Sequence, residues 1–190
     1  MRKFIFSLTI LIAPNLSFAG VFEFGLSGSY RQSTVDEYNR YDVKEIGASL
    51  SYYFWAQSAI ELSYTARLTV KTVGQLSSHT EEQIEETFYG ADFILSLADP
   101  RAAIRPYLKV GGVYIHKKDF YQTLGSDGSV SVANYVPFND GWAPSAGAGI
   151  KIGLTETMSL KLGAETWSMT LANGQKQSDY AGRVGLSWLF

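Results

Sequence analysis

The sequence predicts an all-β chain: one eight-stranded antiparallel up-and-down transmembrane β-barrel. Three observations predict it. The first is the closing stretch, residues 179–190, which reads DYAGRVGLSWLF. Tyr180, Gly182, Val184, Leu186, Trp188 and Phe190 share one face, while Asp179, Ala181, Arg183, Gly185 and Ser187 share the other. Strict alternation of this kind marks a strand with two different surroundings. Arg183 in the middle of one face is incompatible with an ordinary sandwich core there. The second observation is that similar alternation recurs upstream, although no run of eighteen apolar residues exists to make a spanning helix. The third is the spacing of the strands: long polar connections alternate with short turns, as in barrels with short periplasmic turns and long outer loops.

The chain begins MRKFIFSLTILIAPNLSFA. A basic start at Arg2 and Lys3, a short apolar run and a small-x-small site at Ser17-Phe18-Ala19 read as a secretory signal peptide over 1–19. The barrel domain is then expected over 20–190. The whole chain carries 16 basic and 18 acidic residues, and removing Arg2 and Lys3 leaves a net charge of −4. That is no footing for nucleic acid. Without cysteine there is neither a disulfide frame nor thiol chemistry.

The expected strands follow in order. The first, 21–31, sets Phe22, Phe24, Leu26 and Tyr30 against Glu23, Gly25, Ser27, Ser29 and Arg31. After a polar loop at 32–42, the second, 43–54, sets Ile46, Ala48, Leu50 and Tyr52 against Glu45, Gly47, Ser49 and Ser51. The third, 59–71, is the most regular: Ile60, Leu62, Tyr64, Ala66, Leu68 and Val70 alternate with Glu61, Ser63, Thr65, Arg67, Thr69 and Lys71. A second polar loop spans 72–83. In the fourth strand, 86–97, Tyr89, Ala91, Phe93, Leu95 and Leu97 point out and Gly90, Asp92 and Ser96 point in, with Ile94 an exception. The fifth, 104–116, sets Leu108, Val110, Gly112 and Tyr114 against Tyr107, Lys109 and Gly111, and its pattern blurs at Val113 and Ile115. The longest loop is expected over 117–141. The sixth strand, 142–154, the seventh, 159–167, and the last complete an even count. An even count lets the sheet close, which hydrocarbon demands because unpaired backbone groups there cost several kcal/mol.

Three stretches now resemble the small outer-membrane β-barrels, the OmpA/OmpX-type domains and opacity-like surface antigens. One is Arg105-Pro106-Tyr107-Leu108 with Gly111-Gly112-Val113-Tyr114. Another is Ala146-Gly147-Ala148-Gly149-Ile150, followed by Leu154 to Leu160. The third is the terminal Trp188-Leu189-Phe190. The resemblance implies an outer-membrane location in a Gram-negative bacterium. It implies that the barrel assembly machinery reads Trp188 and Phe190 as an assembly signal. It does not imply one activity.

Parity places Glu23, Glu45, Glu61, Asp92 and Glu165 inside with Arg67, Lys71, Lys109, Lys151, Lys161 and Arg183. Eight strands leave a bore that side chains fill, and charges there must pair. A ladder of ion pairs is expected across the lumen, with Asp92, Lys109, Glu165 and Arg183 near mid-height and inward glycines making room. Elsewhere the chemistry is sparse. His79 lies in a polar loop. His116 is followed two residues later by Lys118, which breaks the His-x-Ser motif of lipid A deacylase barrels. Glu81, Glu82, Glu85 and Glu86 read as a solvated acidic rim rather than a metal site. Asp127-Gly128 and Asn139-Asp140-Gly141 read as turns. Phe120, Tyr121, Tyr135 and Phe138 offer either a contact surface or packing within the long loop. Trp142 and Trp167 are expected in the outer aromatic girdle; Phe22, Phe54, Trp55, Trp188 and Phe190 in the inner one.

The expected role is a non-enzymatic one, without cofactor: envelope structure and surface interaction, as a monomer. Partners would be outer-membrane lipid, lipopolysaccharide and an extracellular ligand of the loops. The alternatives are a narrow channel for small solutes or ions and an outer-membrane lipid-modifying enzyme.

Overall fold

A computed structural model describes residues 21–36, 39–55, 57–75, 78–99, 102–125, 130–137, 140–170 and 176–190. The expected signal peptide at 1–19 lies outside the described residues. Nine strands run in chain order: β1 (Val21–Asp36), β2 (Asn39–Trp55), β3 (Ser58–Gln75), β4 (Ser78–Ser96), β5 (Ile104–Gly125), β6 (Val130–Pro137), β7 (Gly141–Gly153), β8 (Met158–Thr170) and β9 (Lys176–Leu189). Eight of them are staves of one closed antiparallel barrel. Each stave pairs with the next, β5 passes directly to β7, and β9 returns to β1. The short β6 pairs only with the outer end of β5, over Lys118–Leu124.

The staves are staggered. From Leu189 on β9, the ladder crosses to Glu23, Ser51, Glu61, Asp92, Gly111, Ser145, Trp167 and back to β9 at Asp179, ten residues from where it began. Such a stagger forces the strands to tilt about 40° from the barrel axis. Residues far apart in sequence therefore meet at one height in the bore.

The alternation in the sequence becomes an inside and an outside. Phe22, Leu26, Ile46, Leu62, Tyr64, Tyr89, Val110, Trp142 and Val184 are all exposed, whereas Glu23, Glu61, Asp92, Lys109 and Lys151 are buried. An apolar outside around a charged inside is the inverse of a water-soluble protein and suits hydrocarbon. Tyr64, Tyr89, Tyr114 and Trp142 are successive ladder partners on four neighbouring strands. The Tyr64 and Tyr89 rings sit 5.5 Å apart, and those of Tyr114 and Trp142 5.4 Å apart. They form one aromatic band. At the other end Phe22 meets Tyr52 at 5.0 Å, and Phe24 stacks on Trp188 at 6.5 Å.

Several expectations need correction. The polar stretches 32–42 and 72–83 are largely strand, and so is part of 117–141. A tilted strand needs about 9–11 residues to cross hydrocarbon, so the 19 residues of β4 and 22 of β5 run well beyond it. Outside the membrane, polar side chains on both faces are no obstacle to pairing, which is why hydropathy hid these extensions. Trp167 is not in the girdle: it is 3% exposed and lies inside. It shares the odd-numbered face of β8 with Glu165, and parity outweighs the general preference of tryptophan for interfaces. Ile94, Val113 and Ile115 are likewise buried in the bore rather than breaks in the pattern.

Candidate functional site

The lumen holds the densest chemistry. Its charges are sorted by wall. Glu23, Glu45, Glu61 and Asp92 come from β1 to β4, and Lys109, Lys151, Lys161 and Arg183 from β5, β7, β8 and β9. Arg67 on β3 and Glu165 on β8 carry the opposite sign to their neighbours. Ion pairs consequently cross the bore. Lys161 Nζ lies 2.9 Å from Glu61 on the diametrically opposite strand, and Lys151 Nζ lies 2.8 Å from Glu23. Lys109 Nζ sits among three carboxylates, 2.7 Å from Glu165, 3.1 Å from Asp92 and 3.2 Å from Glu61. Arg183 reaches Glu165 at 2.8 Å and Glu45 at 3.5 Å.

Hydroxyls complete the network. Ser51 Oγ donates to Glu61 at 3.0 Å and Ser145 Oγ to Asp92 at 2.7 Å. Tyr53 Oη donates to Glu23 at 2.9 Å and also contacts Lys151 Nζ. Buried charges need this saturation, because each loses several kcal/mol of hydration. Room comes from glycine at a few points. A Cβ on Gly163 would lie 2.7 Å from Tyr107 Oη, so the Tyr107 side chain fits over that strand only because the position is bare.

Above the network the bore turns apolar. Phe88, Val113, Ile115, Ala143, Trp167 and Ala181 form one buried cluster. Arg67 enters it with its guanidinium 4.8 Å from the ring centres of both Phe88 and Trp167. Its Nε lies 2.6 Å from Glu45 and its Nη1 3.3 Å from Glu86. Toward the inner end, Ala59, Ile94 and Tyr107 pack with Tyr53. A cavity of about 40 Å³ beside Glu61, Lys161, Glu165 and Arg183 has room for a few waters.

The structure thus brings together Glu23, Glu61, Arg67, Asp92, Lys109, Lys151, Lys161, Glu165 and Arg183 in the lumen. Glu45 belongs with them, and so does Glu86, buried against Arg67 rather than solvated on a rim. Glu82 stays outside, 3.4 Å from Lys71, and Gln83 donates to Glu85 at 3.2 Å. Trp188 and Phe190 lie at the closing seam, where the Phe190 amide donates to the Phe22 carbonyl at 2.8 Å.

The His79 side chain lies outside the described residues, as do the side chains of Tyr121 and Tyr135, the turn at Asp127-Gly128, and Phe138 and Asn139. His116 reveals a pair that sequence reasoning missed. Its Nδ1 is 2.6 Å from Asp140 Oδ1, and Tyr114 Oη donates to Asp140 Oδ2 at 3.2 Å. The hydrogen bond from His116 holds the Asp140 carboxyl below its usual range. Only the β5–β7 register, which sets Ile115 opposite Gly141, brings the two together. No nucleophile joins them among the hydrogen bonds of the described residues.

Among solved structures, similar folds are numerous. OprG from Pseudomonas aeruginosa matches with a TM-score of 0.59 and 13% identity, over 90% of this chain and 96% of that one. The N-terminal β-barrel domain of Pseudomonas aeruginosa OprF matches at 0.53 and 15%, over 90% and 97%. The attachment invasion locus protein Ail of Yersinia pestis, in complex with the heparin analogue sucrose octasulfate, matches at 0.52 and 10%, over 90% and 99%. The fold is that of the small outer-membrane β-barrels. No protein-family model and no curated protein matches the chain.

Proposed function

We propose that this is a non-conducting outer-membrane barrel whose work is done at its surface: the interior is a structural plug, and the strand extensions present the contact face. One observation carries the reading. The bore is blocked through its middle, first by ion pairs that cross it and then by the apolar cluster around Arg67. An ion following the axis would have to break cross-lumen pairs and then enter a layer with few polar partners. Within the ion-pair layer the space beside Glu61, Lys161, Glu165 and Arg183 is about 40 Å³, which is no path.

The surface half rests on β4, β5 and β6, which extend a three-stranded sheet past the aromatic band. A barrel of this fold, Ail of Yersinia pestis, was crystallised in complex with the heparin analogue sucrose octasulfate, and by analogy this supports a binding role for the present chain. The charges of the central network, Glu23, Glu61, Asp92, Lys109, Lys151, Lys161, Glu165 and Arg183, each meet an opposite charge, which supports a structural part.

Planar-bilayer recording tests the plug. The purified barrel should give no reproducible conductance steps. A stable single-channel amplitude would favour the channel reading instead. Whole-cell binding with and without residues 119–138 tests the surface half, and unchanged binding to every cell type tried would remove it.

A further inference from the structure

The barrel wall is incomplete on one side. The pairing of β1 with β9 runs from Glu23↔Leu189 to Gly28↔Val184 and then stops. Both strands continue outward, β1 to Asp36 and β9 from Lys176, without ladder partners in each other. Extending the register would set Tyr30 opposite Gly182. The ladder makes no such pair: its last β1–β9 partners are Gly28 and Val184.

The depth of the gap matters. With a strand rise of about 3.3 Å per residue and a tilt near 40°, Gly182 stands about 15 Å above Trp188. That is within the outer leaflet and below the level of Tyr180. Unpaired backbone groups at that depth cost several kcal/mol each unless something polar meets them.

Behind the gap lies a cavity of about 300 Å³. Its lining includes lumen-facing Glu45 and Arg67 together with Tyr30 and Tyr180 of the two unpaired strand ends, so it adjoins the gap. Arg31 also lines it, 5.6 Å over the Tyr41 ring and without an ion pair among the described residues. Below, the filled bore closes the axial route. What enters this vestibule therefore leaves sideways or upward.

We propose that the outer part of the β1–β9 seam is a lateral opening that seats the head of an outer-leaflet glycolipid, with its acyl chains left in the bilayer. The chemistry selects that class. The two strand edges offer both N–H donors and C=O acceptors, so the head must supply both kinds of partner. Sugar hydroxyls do, whereas a phosphocholine head has no donor. The rings of Tyr30 and Tyr180, 59% and 74% exposed, stand at the mouth and suit the C–H faces of a sugar. The proposal stands on the seam geometry and not on the surface-contact reading; bilayer conductance does not bear on it.

Because the chain has no cysteine, cross-linking can be read cleanly. In bilayers, the double variant Gly28→Cys/Val184→Cys should form a disulfide on mild oxidation. The variant Tyr30→Cys/Gly182→Cys should remain reduced and take up a membrane-permeant maleimide at both sites. Equal cross-linking of the two pairs would overturn the opening. The unmodified protein gives the second readout. In dodecylphosphocholine micelles, the amides of Tyr30 and Gly182, which the register aims into the gap, should exchange hydrogen much faster than those of Leu26 and Leu186, which it aims at each other. Dodecyl maltoside, with the same tail and a sugar head, should slow the seam amides several-fold while leaving the others unchanged. Equal exchange in the two detergents would overturn the glycolipid as occupant.

Discussion

Lys109 has the most demanding position of any single residue. It is 6% exposed and holds three carboxylates together from one ammonium group. Removing one member of a buried ion pair typically costs about 3–5 kcal/mol, because the charges left behind can neither pair nor hydrate. Lys109→Met should therefore lower the unfolding free energy of the refolded barrel by an amount in that range, and its urea midpoint with it, measured in lipid vesicles by tryptophan fluorescence. A midpoint equal to that of the parent protein would contradict the central role of Lys109. Asp140 makes a pH prediction at the outer surface. Its carboxyl is held low by His116, so the stabilisation it contributes is present above the ordinary carboxylate range. It is lost as pH falls through the lowered value. NMR titration of the Asp140 carboxyl should show a midpoint below that of an unstructured aspartate, and Asp140→Asn should abolish this pH dependence at the β5–β7 junction. Parity alone put Lys109 in the bore, whereas nothing local in the sequence named its three partners. They come from β3, β4 and β8, and only the stagger of the sheet makes them neighbours.

Single strands tell a similar story. The spanning part of β3 was legible because lipid on one side and a packed bore on the other impose a period of two. Its outer end at 72–75 was not, since water on both sides imposes none. The same holds for the upper parts of β4 and β5 and for β6. These extensions should be dispensable for the barrel itself. Replacing 119–138 with a short turn should leave a heat-modifiable, protease-resistant core on a gel, because the spanning pairs of β5 with β4 and β7 remain. Loss of the folded band would mean that β6 helps nucleate the barrel. Within the wall, Gly163 and Tyr107 form a fitted pair. Gly163→Val should displace the Tyr107 side chain and destabilise the barrel by about 1–3 kcal/mol, the usual cost of overpacking. Gly182→Val, at the empty seam, should cost far less.

At the scale of the whole molecule, the acidic β1–β4 wall faces the basic wall formed by β5, β7, β8 and β9. Attraction across the bore adds to the hydrogen-bonded ladder in holding the cylinder shut. The sequence contains this division plainly, acids early and bases late. Its meaning emerges only when closure brings the first strand against the last. The seam is the part least legible beforehand, since β1 and β9 both alternate well into the unpaired region. Everything rests on lipid touching the even-numbered side of β9 while the bore encloses the odd-numbered side. A nitroxide scan from Tyr180 to Phe190 in bilayers measures this directly. Collision with dissolved oxygen should be high at Tyr180, Gly182, Val184, Leu186 and Trp188 and low at Ala181, Arg183, Gly185 and Ser187. A profile without that two-residue period, or with its phase reversed, would contradict the account.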